Sequence, residues 1–202
     1  MWRNRVAWGF VPLVLVALLA GCDGGSGKGP ESTLPPPPPS TTTTTIDVTK
    51  VPATIDVAYV QAVMNSLDKV TGDAVRVFVA QRGPNKEWYE TFRAVFDDPA
   101  FSEIESDFGR YAANGLRPLR PLPENPTTTV QRILDSSANC IVVEVDRSYG
   151  PIFTTPPGNP RGFVQLRQLK PERDPTKRNP TSWAIVASVN AEGATIPTDP
   201  CK

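Results

Sequence analysis

The first fifty residues limit most what this chain can fold into, because one part is patterned for export and the rest is too polar and proline-rich to join a core. Met1 to Cys22 reads MWRNRVAWGFVPLVLVALLAGC, with Arg3 and Arg5 near the start, an apolar run from Val6 to Leu18, and Leu19-Ala20-Gly21 before Cys22. Positive charge holds the start of a translocating segment on the cytoplasmic side, a short apolar stretch enters the membrane, and small residues admit a peptidase. Residues 1–21 therefore read as an export signal. A permanent span is disfavoured, since crossing a bilayer takes roughly 20 uninterrupted apolar residues and Pro12 breaks this run.

Residues 22–50 continue as a Gly-rich start, five prolines from Pro35 to Pro39, and a Ser/Thr run from Ser40 to Thr45. Such a composition buries too little apolar surface to offset the entropy of ordering, so a disordered tether is expected. The proline run favours an extended polyproline helix rising about 3.1 Å per residue, which suits a spacer. About 150 residues, 51–202, remain for folding, the size of one domain with a single core.

The closing Leu19-Ala20-Gly21-Cys22 resembles the lipobox of bacterial lipoproteins. The resemblance implies that the Cys22 thiol is acylated with diacylglycerol and becomes the mature N-terminus, anchoring the protein to the outer face of the cytoplasmic membrane. Two acyl chains hold stably where one holds marginally. Processing removes Arg3 and Arg5 from a chain balanced at 21 basic and 21 acidic residues. The slight acidic excess left behind argues against nucleic acid as a partner. With Cys22 lipidated, Cys140 and Cys201 are the two remaining thiols, and an oxidising exterior favours their pairing.

In the folded part, Val57, Val60, Val63, Met64, Leu67 and Val70 recur at steps of three and four, which predicts a helix capped by Thr54 or Asp56 and ended by Gly72. A shorter helix is expected over residues 74–81, although Val75, Val77 and Val79 alternate as in a strand. Trp88, Phe92, Val95 and Phe96 share one face of a further helix over Glu87 to Phe96. Asp98-Pro99 is expected to cap another, closed by Asn114-Gly115. Leu116 to Pro126, with its prolines, is expected to cross the domain extended. The period then changes to two, predicting strands over Thr127–Leu134, Cys140–Tyr149, Arg161–Lys170 and Thr181–Asn190. Helices followed by a four-stranded antiparallel meander make an α+β domain, with the helices on one face of the sheet.

This element order, ending in Ser182-Trp183-Ala184-Ile185-Val186, resembles the nuclear transport factor 2-like (cystatin-like) group over residues 51–190. The resemblance implies a curved sheet wrapped into a cone around a helix, with a cavity at its wide end. The tether and two late cysteines also resemble actinobacterial lipoproteins of unassigned function.

The chain has no histidine, which removes Ser-His-Asp and Cys-His mechanisms and the commonest zinc sites. Gly24-Gly25-Ser26-Gly27-Lys28 lies in the tether with no strand before it and no helix after it, so it is not a phosphate loop. Two carboxylate pairs remain for acid–base chemistry, Glu103 with Asp107 and Glu144 with Asp146. Alternation around Ile141, Val143 and Val145 places Glu144 and Asp146 on the non-apolar face, in water or paired with Arg167. The basic run from Arg161 to Arg178 is expected at a solvated hairpin tip. Trp88, Phe92, Phe108, Tyr111 and Trp183 are the candidate lining of an apolar cavity. The function expected is that of a lipid-anchored envelope domain binding a partner protein or apolar ligand without a cofactor. A carboxylate-based enzyme and a purely structural envelope protein are the alternatives.

Overall fold

The structure is a computed structural model and describes residues 45–156, 158–190 and 201. The export signal, Cys22 and most of the tether lie outside the described residues. The helices are α1 (Val57–Ala80), α2 (Lys86–Val95) and α3 (Ala100–Ala113). The strands are β1 (Thr127–Ser137), β2 (Cys140–Ser148), β3 (Arg161–Gln168) and β4 (Trp183–Asn190). The strands pair antiparallel in the order β1-β2-β3-β4, so the expected α+β meander is present. No helix among the described residues is long and apolar enough to cross a membrane.

The helix starts follow their caps. Asp56 accepts a hydrogen bond from the Tyr59 amide at 2.8 Å, and Asn85 accepts one from the Trp88 amide at 2.7 Å, each satisfying an amide that the helix itself leaves free. Asp98 does not cap α3. Its carboxylate accepts from the Ser102 hydroxyl and from Arg173, while the Asp97 carbonyl takes the Phe101 amide.

Gly72 does not end a helix. α1 runs unbroken for 24 residues, replacing the two helices expected around Gly72. A Cβ added at this glycine would lie 2.8 Å from the Asn125 Cα, so glycine is needed for close approach of another segment. Residues 116–126 also depart from a plain extended crossing. Gly115 and Leu116 both have positive φ, and turns follow before a single bridge from Leu119 to Phe153.

The core lies between the helices and one face of the sheet. Val60, Val63, Met64, Leu67 and Val75 of α1 meet Ile141, Val143 and Val145 of β2, Val164 and Leu166 of β3, and Trp183 and Ile185 of β4. The Trp183 indole N–H, buried among them, donates to the Tyr59 hydroxyl at 2.8 Å. Val48 and Val51 pack against this core, and the Ser182 hydroxyl donates to the Thr49 carbonyl at 2.6 Å. The folded unit thus begins a few residues before Val51.

Both sheet edges are occupied. On β1 the Gln61 amide of α1 donates to the Thr128 carbonyl and accepts from the Val130 amide, at 2.7 and 2.8 Å. Beside β4, Phe96 forms a parallel bridge to Ile185, and the Asp97 amide donates to the Ile185 carbonyl at 2.9 Å. An edge covered in this way offers few free groups to another chain. Cys140 and Cys201 form a disulfide with Cα atoms 5.4 Å apart, 61 residues apart in sequence. A loop of that length corresponds to about 4 kcal/mol of stabilisation in the chain-entropy model.

One charged pair crosses the core. Arg147 continues the inward-facing series of β2 and donates to Asp68 of α1 at 2.8 Å, with both side chains at 5 % exposure or less. Burial pushes the Asp68 carboxyl up, and Arg147 offsets only part of that. Removing one member of such a pair leaves a buried charge uncompensated. Asp68→Ala is accordingly expected to lose roughly 3–5 kcal/mol in chemical denaturation. The double replacement Asp68→Leu/Arg147→Met should recover most of it, and equal losses for the two variants would contradict this account.

Candidate functional site

The aromatic residues of the helices converge on a pocket of about 220 Å³. α1 contributes Thr71 and Val75, and α2 with its C-cap contributes Phe92 and Phe96. α3 contributes Ile104, Asp107, Phe108 and Tyr111, while the connection between β2 and β3 adds Tyr149, Ile152 and Phe153. Each helix presents these side chains at spacings of three or four, the period that keeps them on one face. The β2–β3 connection is held there by lacing to residues 118–120. The Arg120 amide donates to the Ile152 carbonyl and the Thr154 amide to the Pro118 carbonyl, both at 2.9 Å. Arg120 Nε adds a bond to the Gly150 carbonyl at 2.6 Å.

Two of the ring pairs meet edge to face. Phe108 and Tyr111 have centroids 5.4 Å apart, and Tyr111 and Phe153 are 5.8 Å apart, at interplanar angles of 66° and 71°. Such pairs place the positive ring edge of one against the negative face of the next. Polar groups are few. The Thr71 hydroxyl donates to the Leu67 carbonyl at 2.8 Å, and Asp107 is paired with Arg110. Burial, and then the negative charge of Asp107, push the Tyr111 phenol above its ordinary range. A mostly apolar pocket whose polar lining residues are Thr71, Tyr111, Tyr149 and Asp107 suits a small, largely apolar ligand.

Of the residues expected to line a cavity, Phe92, Phe108 and Tyr111 do so. Trp88 and Trp183 do not. They are 1 % and 0 % exposed and belong to the core, where Trp88 packs on Phe78, Phe92 and Phe108. The residues of the β2–β3 connection carry no sequence signal for this site. Two apolar residues and a tyrosine in a loop reveal nothing until the loop is seen to return to α3.

The carboxylate pairs separate. Glu103 is exposed, whereas Asp107 stands at the pocket wall. Glu144 is buried on the sheet face away from the helices, and its partners differ from the expected Arg167. Arg132 Nε donates to it at 2.5 Å and Arg161 Nε at 2.6 Å. The register explains this, since Arg132 lies directly across from Glu144 and Arg161 lies across from Asp146, the next position on that face. Hydrogen bonds from Arg132 and then Arg161 hold the Glu144 carboxyl below the usual range, the direction opposite to a general base poised near neutrality.

The basic run is also tied down. Arg173 pairs with Asp97 at 2.6 Å and Asp98 at 3.0 Å, and Arg178 reaches Glu90 at 3.2 Å. The Asp174 carboxylate accepts from the Arg178 and Asn179 amides at 2.9 and 2.7 Å. These contacts hold Arg173 and Arg178, both half-buried, against α2, while Lys170 and Lys177 stay exposed in the β3–β4 connection as expected. No cluster of potential metal ligands occurs among the described residues.

The lowered pKa of Glu144 sets a sign for stability against pH. Its contribution is fully present above the unfolded glutamate pKa of about 4.3 and is lost as pH falls through the lower folded value. Glu144→Gln should therefore be less stable than the parent at pH 7, and the gap should close in strong acid. Urea melts across that range would show a constant gap if the two arginines contributed nothing.

Comparisons of the chain with protein-family models, with curated proteins and with solved structures found no match.

Proposed function

We propose that this chain is a lipid-anchored envelope protein whose folded domain binds a small apolar ligand in the aromatic pocket between α1, α2, α3 and the β2–β3 connection. The observation that carries the reading is the pocket itself, about 220 Å³ walled by six aromatic rings, a concave and mostly apolar lining of the kind that holds small molecules. Binding is favoured over catalysis because Glu144, the most buried of the candidate carboxylates, faces away from this pocket and is held by two guanidinium groups.

The anchor rests on the sequence of residues 1–22. A tether ahead of the folded unit would let the pocket stand clear of the lipid surface while remaining in reach of molecules that partition into it.

Two outcomes are expected. A neutral fluorescent probe such as N-phenyl-1-naphthylamine should bind the parent saturably. Ile104→Trp, which fills the pocket from its half-buried wall, should weaken that binding at least tenfold while shifting the melting temperature by only a few degrees. Unchanged probe affinity in a folded Ile104→Trp protein would remove the pocket from the reading. Separately, Cys22→Ala should move the protein from the membrane to the soluble fraction on cell fractionation. Retention in the membrane fraction would remove the lipid anchor and leave the pocket reading intact.

A further inference from the structure

A second concavity lies along the other side of α2, an open groove of about 540 Å³. Lys86, Tyr89, Glu90 and Arg93 of α2 form one wall, and Glu172 and Arg173 of the short 3-10 helix over residues 171–173 form the other. The charges in it are mostly matched. Glu90 is met by Lys86 at 3.7 Å and Arg178 at 3.2 Å, and Arg173 is met by Asp97 and Asp98. Glu172 is exposed to water.

Arg93 is different. Among the described residues no carboxylate comes within ion-pair distance of it; Asp98, already bound to Arg173, acts on it only from farther off, and its close partners are two aromatic rings. Its guanidinium carbon lies 4.7 Å from the Phe101 centroid and 5.2 Å from that of Tyr89. Nε is buried with no hydrogen-bond partner, while the two terminal nitrogens are not among the buried unpartnered atoms. Ring faces stabilise a guanidinium by cation–π attraction and fix its plane, and they leave its N–H groups unused. The two rings therefore orient the side chain, and its terminal nitrogens make no ion pair among the described residues.

The planar fork of a guanidinium matches a carboxylate through two parallel N–H···O bonds. Tyr89, 36 % exposed, offers an adjacent apolar ring. We propose that this groove binds a carboxylate-bearing organic acid, the carboxylate taking the terminal nitrogens of Arg93 and the apolar body lying on Tyr89. Glu90 and Glu172 in the walls disfavour ligands of high negative charge, which favours a monoanion over a phosphate. The site stands apart from the aromatic pocket and does not depend on what that pocket holds.

Sodium benzoate titrated into the full-length mature protein in detergent micelles, at constant ionic strength, tests the assignment. Calorimetry should show saturable binding, and the Arg93 guanidinium resonance of ¹⁵N-arginine-labelled protein should shift along the same curve. Arg93→Lys, which keeps the charge and loses the fork, should weaken benzoate at least tenfold. Tyr89→Ala, at an exposed position, should weaken it several-fold, and Ile104→Trp should leave it unchanged. Absence of saturable binding, equal affinity in folded Arg93→Lys and Tyr89→Ala proteins, or tighter binding of inorganic phosphate than of benzoate would overturn the proposal. Loss of benzoate binding in Ile104→Trp alone would assign the acid to the aromatic pocket and overturn it too.

Discussion

Arg147 lies in the inward-facing series Ile141, Val143, Val145, Arg147 of β2, and a cation at that place needs an anion from the layer above it. Asp68 of α1 supplies it at 2.8 Å. The pair sits between the apolar contacts of α1 on one side and Tyr149 on the other, with the Arg147 guanidinium carbon 5.2 Å from the Tyr149 centroid. Apolar packing alone tolerates small rotations and slides of a helix on a sheet, whereas a shift that separates a buried ion pair strands two charges. The desolvation cost of such a pair can equal its Coulomb gain, so its main effect on this fold is to fix where α1 lies. Everything that α1 positions inherits that placement, including Gln61 on the β1 edge, Gly72 beside Asn125, and Thr71 and Val75 at the pocket.

The same placement explains why the unbroken helix carries a glycine. With α1 seated, the chain leading from Asn125 toward β1 must pass close to its middle, and Gly72 is where the backbone passes. A glycine within a helix costs about 1 kcal/mol relative to alanine. Here that cost accompanies a contact no side-chain-bearing residue would permit. The Arg76 guanidinium, one turn further on, reaches the Asn125 side chain at 3.2 Å, so the crossing is held by polar contacts as well.

Much of this was legible in the residues, and what was not has a common cause. The change from a period of three or four to a period of two before Thr127 is local, and it located the four strands, α2 and α3 to within a few residues. Gly72 carried the local signal of a helix end, but its role is set by Asn125, 53 residues later. Glu144 was read correctly as lying opposite the apolar face. Its partners required the strand register, which places Arg132 across from it and Arg161 diagonally. The aromatic residues were recognisable as an inward-facing set, yet identity and period cannot separate a tryptophan at the centre of a core from a phenylalanine at a cavity wall. Depth is a property of the assembled layers, and Tyr149, Ile152 and Phe153 reach the pocket only through the lacing of their loop to residues 118–120.

α2 connects the two concavities without merging them. Its 3.6-residue period sends Trp88, Phe92 and Val95 inward, toward the core and the aromatic pocket. Lys86, Tyr89, Glu90 and Arg93 point to the groove. Side chains on opposite faces of one helix do not touch, so each face can change its chemistry without altering the other, provided the axis stays in place. The axis is held at both of its ends. Asn85 caps its start, and the Asn179 amide donates to the Ala94 carbonyl at 2.7 Å and to the Trp183 carbonyl at 2.8 Å, joining its last turn to β4. A ten-residue helix has too few turns to be stable alone, so these ties and the burial of Trp88 and Phe92 are what present Arg93 and Tyr89 in a fixed orientation. The apolar interior thus sets the geometry of the charged surface, and Phe101 is where the two meet, a core ring 4.7 Å from the Arg93 guanidinium carbon.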